Sequence, residues 1–222
     1  MKNPWFDLPS SKPYLIDSDA VSIHAFNERC SQKYKIALDL LPEPYFGNVD
    51  APVVVLNLNP GLSAADYLAH ENNEFICQAK SSLVHDLKPY PFLHLQPSPD
   101  TPGGKWWHTR TKQLVKDVGF MAVSSGLACV QFFPYHSKEF SKACPILPSQ
   151  KYGFHLVREA MRRNAEIVVM RSRAEWFSHV PELVSYEKLH IAVNPRSPYI
   201  SPGNLKKSYQ IIVNRLKHHG FD

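Results

Sequence analysis

The chain of 222 residues is 44% hydrophobic and 20% charged, a balance that supports one full-sized core and excludes wholesale disorder. No apolar run approaches the roughly 20 residues a membrane span needs, so no membrane partner is expected. Of the net +5, residues 151–222 hold 12 basic and 6 acidic side chains against 13 and 14 in residues 1–150. That one-sided charge suits a polyanion, since neutralised phosphates release condensed counterions, and equally suits a solvated basic helix face.

Met1-Lys2-Asn3-Pro4-Trp5-Phe6-Asp7 has no apolar h-region and no small-residue cleavage site, so no secretory signal is expected. Cys30, Cys77, Cys129 and Cys144 show no C-x-x-C spacing. Together these features point to a reduced, cytoplasmic protein with no disulfide frame, metal site or cofactor. Residues 1–16, with Pro4, Pro9 and Pro13, read as an arm packed on the body without regular structure. From Asp17 to Leu41 the pattern is helical, with Val21, Phe26, Cys30, Ile36, Leu40 and Leu41 on one face. Pro42 to Pro52 breaks it. Val53-Val54-Val55-Leu56 is the continuous β-branched run of a strand buried on both faces. It ends in the turn Asn57-Leu58-Asn59-Pro60-Gly61, and Ser63 can cap a helix through about Lys80.

Residues 86–105 hold Pro89, Pro91, Pro97, Pro99 and Pro102 before Gly103-Gly104, which predicts a long surface loop, functional or disordered. A helix follows from Trp106 to about Val118. A strand Leu127–Phe133 stops at Pro134, and Ser149 caps a helix to about Asn164. A strand Ile167–Met170, a helix from Ser172 to about Val184 and a strand His190–Val193 come next. Pro202 at the first helical position opens an amphipathic helix to about His218. This alternation predicts a single α/β domain over residues 1–222, a three-layer α/β/α fold around a central four-stranded parallel sheet. Ligands of such sheets bind at the carboxyl ends of the strands. The rule selects Asn57–Ser63, Gln131–Ser137 and Asn194–Asn204.

Asn59 is held rigidly, because Pro60 fixes the next φ and Gly61 permits a sharp turn. Such an amide can orient a water without being charged, although Asn-Pro-Gly is also plain turn chemistry. Val55-Leu56-Asn57-Leu58-Asn59-Pro60-Gly61-Leu62-Ser63-Ala64-Ala65 resembles the first motif of the uracil-DNA glycosylase superfamily, and is most similar to its mismatch-specific uracil/thymine branch. Asn194-Pro195-Arg196-Ser197-Pro198 is similar to the second motif, and Val130-Gln131-Phe132-Phe133-Pro134 to the strand end that reads the base. Gln131 stands where the family has Asn, so its amide reaches further. Asn194 stands where several branches have His, and the acidic water-activating residue of the most efficient branch is absent.

The resemblance implies a monofunctional DNA glycosylase that cleaves the N-glycosidic bond of a flipped-out uracil, mismatched or modified pyrimidine and leaves an abasic site. DNA, single- or double-stranded, is then the partner of a monomer working in base-excision repair. If the base is a modified phage pyrimidine, the enzyme is an antiviral defence factor. By that resemblance Asn59 positions the hydrolytic water. Asn194 and His136 join it in the catalytic group, with His136 also readable as a structural histidine. Gln131, Asn57, Phe133 and Tyr67 are the base-binding candidates, with Tyr67 as stacking platform. Arg196, Ser197, Tyr199, Lys206, Lys207 and Arg173 are the DNA-contact candidates, and Arg196 or Tyr199 a wedge. Two alternatives stand beside this: a catalytically silent nucleic-acid-binding module on the same fold, and an unrelated α/β enzyme for a small nucleotide. Neither G-x-G-x-x-G nor G-x-x-x-x-G-K-[ST] occurs to support the last.

Overall fold

The structure is a computed structural model that describes residues 1–86, 89–98 and 100–218. Asn3 caps a short 3-10 turn, Pro4–Asp7, and Trp5 buries its ring edge-on to Tyr135, so the expected arm does carry local structure. Helix α1, Asp17–Arg29, stops well before the expected Leu41. The Asn27 amide explains this by clasping the Ile36 backbone in both directions, at 3.0 and 2.8 Å. The chain is thereby turned back, and residues 36–43 run beside the segment that follows the third strand, with Ala37 N–H donating to His136 O and Glu43 N–H to Pro134 O.

Strand β1, Tyr45–Gly47, was not expected from the sequence. Three residues between prolines and Asn48 carry no periodicity, yet they pair antiparallel with the later strand Leu127–Gln131. Gly47 makes this approach possible, with φ +94 and only 2.5 Å between the position of any added Cβ and Leu127 O. Strand β2, Val53–Asn57, follows as predicted. Ser63 and Asp66 close the N-terminus of helix α2, Ala64–Ala69, but the helix is short. Asn72 caps a separate helix α3, Asn73–Leu83, by accepting from Glu74 N–H and Phe75 N–H.

Helix α4 runs Pro102–Val118, its first turn claimed from the predicted loop because Thr101 caps it and Pro102 occupies the first position. Helix α5, Phe120–Gly126, leads directly into strand β3, Leu127–Gln131. Helix α6, Gln150–Arg162, strand β4, Glu166–Val169, helix α7, Arg173–His179, and strand β5, Leu189–Ile191, complete the alternation. The last predicted helix is two pieces, α8, Pro202–Leu205, and α9, Lys207–Lys217, separated at Lys206 with φ +54.

The sheet has five strands in the order β1-β3-β2-β4-β5. It is mixed rather than the four-stranded parallel sheet expected, because the unforeseen edge strand β1 runs antiparallel to β3, while β3, β2, β4 and β5 run parallel to one another. Val54, Leu56, Ala128 and Val130 face a core shared with α1, α6 and α7, while Val53, Val55, Leu127 and Cys129 face one shared with α3, α4, α5 and α9. Among the described residues no helix is long and apolar enough to cross a membrane.

Candidate active site

The alternation along β2 and β3 decides which polar side chains meet. Asn57 and Gln131 are register partners at the carboxyl ends of neighbouring parallel strands. Both continue the odd-numbered face that packs against α3 and α4. Their side chains are 5% and 6% exposed, and the amide oxygen of each is shut from solvent without a hydrogen-bond donor. An unpaired buried amide oxygen costs about 1–3 kcal/mol, so two side by side on a rigid sheet call for a reason beyond folding. The main chain around them is fully used: Trp176 Nε1–H and Phe132 N–H both donate to Asn57 O, at 2.9 and 3.2 Å.

Beyond the strands, the two turns leave the sheet together. Phe133 N–H donates to Leu58 O, and Ser137 N–H to Pro60 O. Half-buried Asn59 is anchored from this side, its amide N–H groups donating to Pro60 O at 2.8 Å and Ser137 Oγ at 3.1 Å. Its amide oxygen takes no hydrogen bond from the described residues and is free to accept one from a water.

Next to this pair lies a buried charge cluster that the sequence did not disclose. Glu43, fixed between Pro42 and Pro44, accepts from His94 Nε2–H at 2.9 Å, and His136 Nε2 lies 3.7 Å from its other oxygen. The Nδ1–H groups of His136 and His70 donate to Gly61 O at 2.6 Å and Asp66 O at 2.8 Å, which leaves both Nε2 atoms buried without hydrogen bonds. The two imidazoles meet edge to face at 5.5 Å, and Phe75 lies against both His70 and His94. Burial alone would raise the Glu43 carboxyl, but His94, His136 and His70 more than reverse that and hold it at about 2. Gln131 N–H donates to Pro44 O, which ties this cluster to the amide pair. Among the described residues no group of His, Cys, Asp or Glu is arranged to hold a metal ion. Only a long-range pairing joins Glu43 to His94, so the prolines flanking Glu43 were the one local hint.

Burial depresses the His70 imidazole, opposed by its bond to Asp66 and reinforced by His136. The unfolded chain therefore takes up its proton first as pH falls, and the stability His70 confers is lost on going below the unfolded value of 6.5. The melting temperature should be lower at pH 5.5 than at pH 7.5, and His70→Gln should flatten that slope. His85, also depressed by burial, accounts for part of the remainder. A slope unchanged in the variant would remove His70 from the account.

The other predicted residues fall elsewhere. Phe133, 2% exposed, packs with Tyr135 and Phe140 in the opposite core and has no free face for a base. Tyr67 is exposed and lines a shallow groove with Lys35, Asp39 and Leu62, whereas Phe75 is the ring beside the histidines. Asn194 is exposed, follows β5 and is separated from β2 by β4. Its amide oxygen caps its own turn, accepting from Arg196 N–H and Ser197 N–H, and buried Asn204 holds the loop through Asn194 N–H, Ser197 O and Tyr199 O. Two of the three selected turns thus converge, and the third stands apart. Arg196, Arg173, Lys206 and Lys207 are exposed and form no ion pair with the described residues, Ser197 is half-buried, and Tyr199 stacks under Arg110.

A cavity of about 630 Å³ opens between α3 and the Pro-rich segment, reaching from Gly47 to Thr101 with Phe75 and His94 in its wall. Asn57, Asn59, Gln131 and Asn194 are not in that wall, so this cavity approaches the amide pair through His94 and Phe75. Leu87, Lys88 and Pro99 of the predicted loop lie outside the described residues. Comparison with protein-family models, with curated proteins and with solved structures finds no match to the chain.

Proposed function

We propose that the protein is a DNA glycosylase that hydrolyses the N-glycosidic bond of an extruded pyrimidine. The observation that carries the reading is the register-matched pair Asn57 and Gln131, two buried amides with unpartnered oxygens at the ends of β2 and β3. An amide offers an acceptor and a donor side by side, the complement of the N3–H and carbonyl edge of uracil or thymine. A base inside a duplex cannot reach such a site, so the nucleotide is extruded at a cost of a few kcal/mol, least for a mispaired or damaged base. The C1′–N bond then breaks with its electron pair leaving on the base. Water adds to C1′, and the proton it loses passes to the departing base anion, directly or through solvent. Amide N–H groups fixed on the departing base favour the negative charge developing there, while the amide oxygens hold the base by its N3–H. Asn59, anchored through its amide nitrogen and open at its oxygen, suits the orientation of that water.

A silent nucleic-acid-binding module remains the second reading, favoured by Asn194, whose amide oxygen is spent on its own turn rather than offered to a base. Abasic-site release from duplex and single-stranded DNA carrying uracil, a mismatched thymine or glucosylated hydroxymethylcytosine separates the two. Cleavage of at least one substrate after alkaline treatment is expected. Binding without release from any of them would replace the enzyme with the module.

A further inference from the structure

The most unusual charges of the molecule stand on the other flank of Asn57. Met170 N–H and Arg171 N–H both donate to Leu56 O, at 2.9 and 3.4 Å, so Arg171 leaves β4 beside the end of β2, across from Gln131. Its guanidinium lies 5.8 Å from the Trp106 ring of α4, and that of Arg110, one turn further along α4, lies 5.2 Å from the same ring. Arg110 is also stacked at 4.3 Å on Tyr199, and Arg110 O accepts from Ile200 N–H, which fastens the loop after β5 to α4. Both arginines are half-buried, and the Nε of each is sealed from solvent with no acceptor. Neither forms an ion pair with any described residue.

Two guanidinium groups crowded onto one indole without a carboxylate repel each other, and ring faces compensate only in part. Burial and the neighbouring charge of Arg110 accordingly hold the Arg171 value down. A rigid pair of forks held by aromatic faces is the arrangement that receives a phosphate through paired N–H···O bonds. We propose that Arg110 and Arg171, held against Trp106 and Tyr199 at the carboxyl end of β4, form a phosphate site. Its ligand is the sugar–phosphate backbone of a nucleic-acid strand, next to the nucleotide read by Asn57 and Gln131. The choice of a strand rests on the proposed function, whereas the phosphate chemistry rests on the arginines alone. Exposed Arg173 and Arg196 extend the same edge and supply the further cations that a polymeric anion meets.

The test uses ligands that contain no excisable pyrimidine, so it is independent of glycosylase activity. Inorganic phosphate should raise the melting temperature of the full chain above that in chloride at matched ionic strength. Arg171→Gln should abolish this rise while melting in chloride no lower than the parent, because a repulsion has been relieved. Anisotropy with a labelled single-stranded oligodeoxyadenylate should show at least tenfold weaker binding for Arg171→Gln and for Arg110→Gln. Each variant should also reduce the salt slope by about one. No stabilisation of the parent by phosphate, or a variant that melts lower in chloride, would overturn the phosphate site. Adenosine monophosphate binding as tightly as the oligonucleotide would overturn the strand and leave a free nucleotide as ligand.

Discussion

Gln131→Met and Asn57→Leu should each lower base release by about 10²–10³-fold, the loss expected when one preorganised polar partner of a developing charge is removed. Neither should lower the stability of the fold. Each replacement removes a buried amide oxygen that has no donor, so a change between zero and about 1 kcal/mol in favour of the folded state is expected. The main-chain bonds from Trp176 and Phe132 to Asn57 O survive either change. Single-turnover release on saturating substrate, paired with urea denaturation, makes the measurement. Full activity in both variants would end the assignment of the amide pair as base readers. A stability loss beyond about 2 kcal/mol would recast the pair as structural.

Glu43→Ala should be the most destabilising single change in the site, at about 3–5 kcal/mol. It leaves the His94 N–H without its acceptor and removes the negative charge that faces all three imidazoles. For a domain of this size the loss corresponds to roughly 10 °C in melting temperature. Glu43→Gln keeps an acceptor for His94 and should cost less than half as much. With its carboxyl held at about 2 against an ordinary 4.5, Glu43 contributes stability that is complete above 4.5 and disappears as pH falls through about 2. The parent and the alanine variant should therefore converge in acid. Thermal melts across pH 2–7 decide this, and a gap that stays constant to pH 2 would show that packing, not charge, accounts for the loss.

Both predictions use contacts of different legibility. The amide pair could be read from the chain, because Val53–Asn57 and Leu127–Gln131 are continuous apolar runs that end in a polar residue before a turn. A strand buried on both faces has no other local signature, and the carboxyl end of such a strand is where α/β sheets present polar groups. The resemblance of the Val55–Ala65 segment singles out Asn59, and the structure adds the Ser137 anchor that no spacing reveals. Tyr67 and Phe133 are near Asn59 and Gln131 in sequence, but their side chains face elsewhere. Their orientation is decided by the helix break at 70–72 and by the bend after Gln131, where strand alternation ends and Phe133 turns with Phe132 into the far core.

The amino-acid sequence by itself determined the β-branched strands, the helix starts at Ser63, Ser149 and Pro202 and the polar turns at the sheet's carboxyl edge, since these follow from side-chain shape and hydrogen bonding within a few residues. Only the tertiary structure decided the antiparallel edge strand at Tyr45–Gly47, the Glu43 histidine cluster and the arginine pair around Trp106. Each of these joins segments tens of residues apart, and a contact that depends on where the chain returns leaves no periodic mark along it.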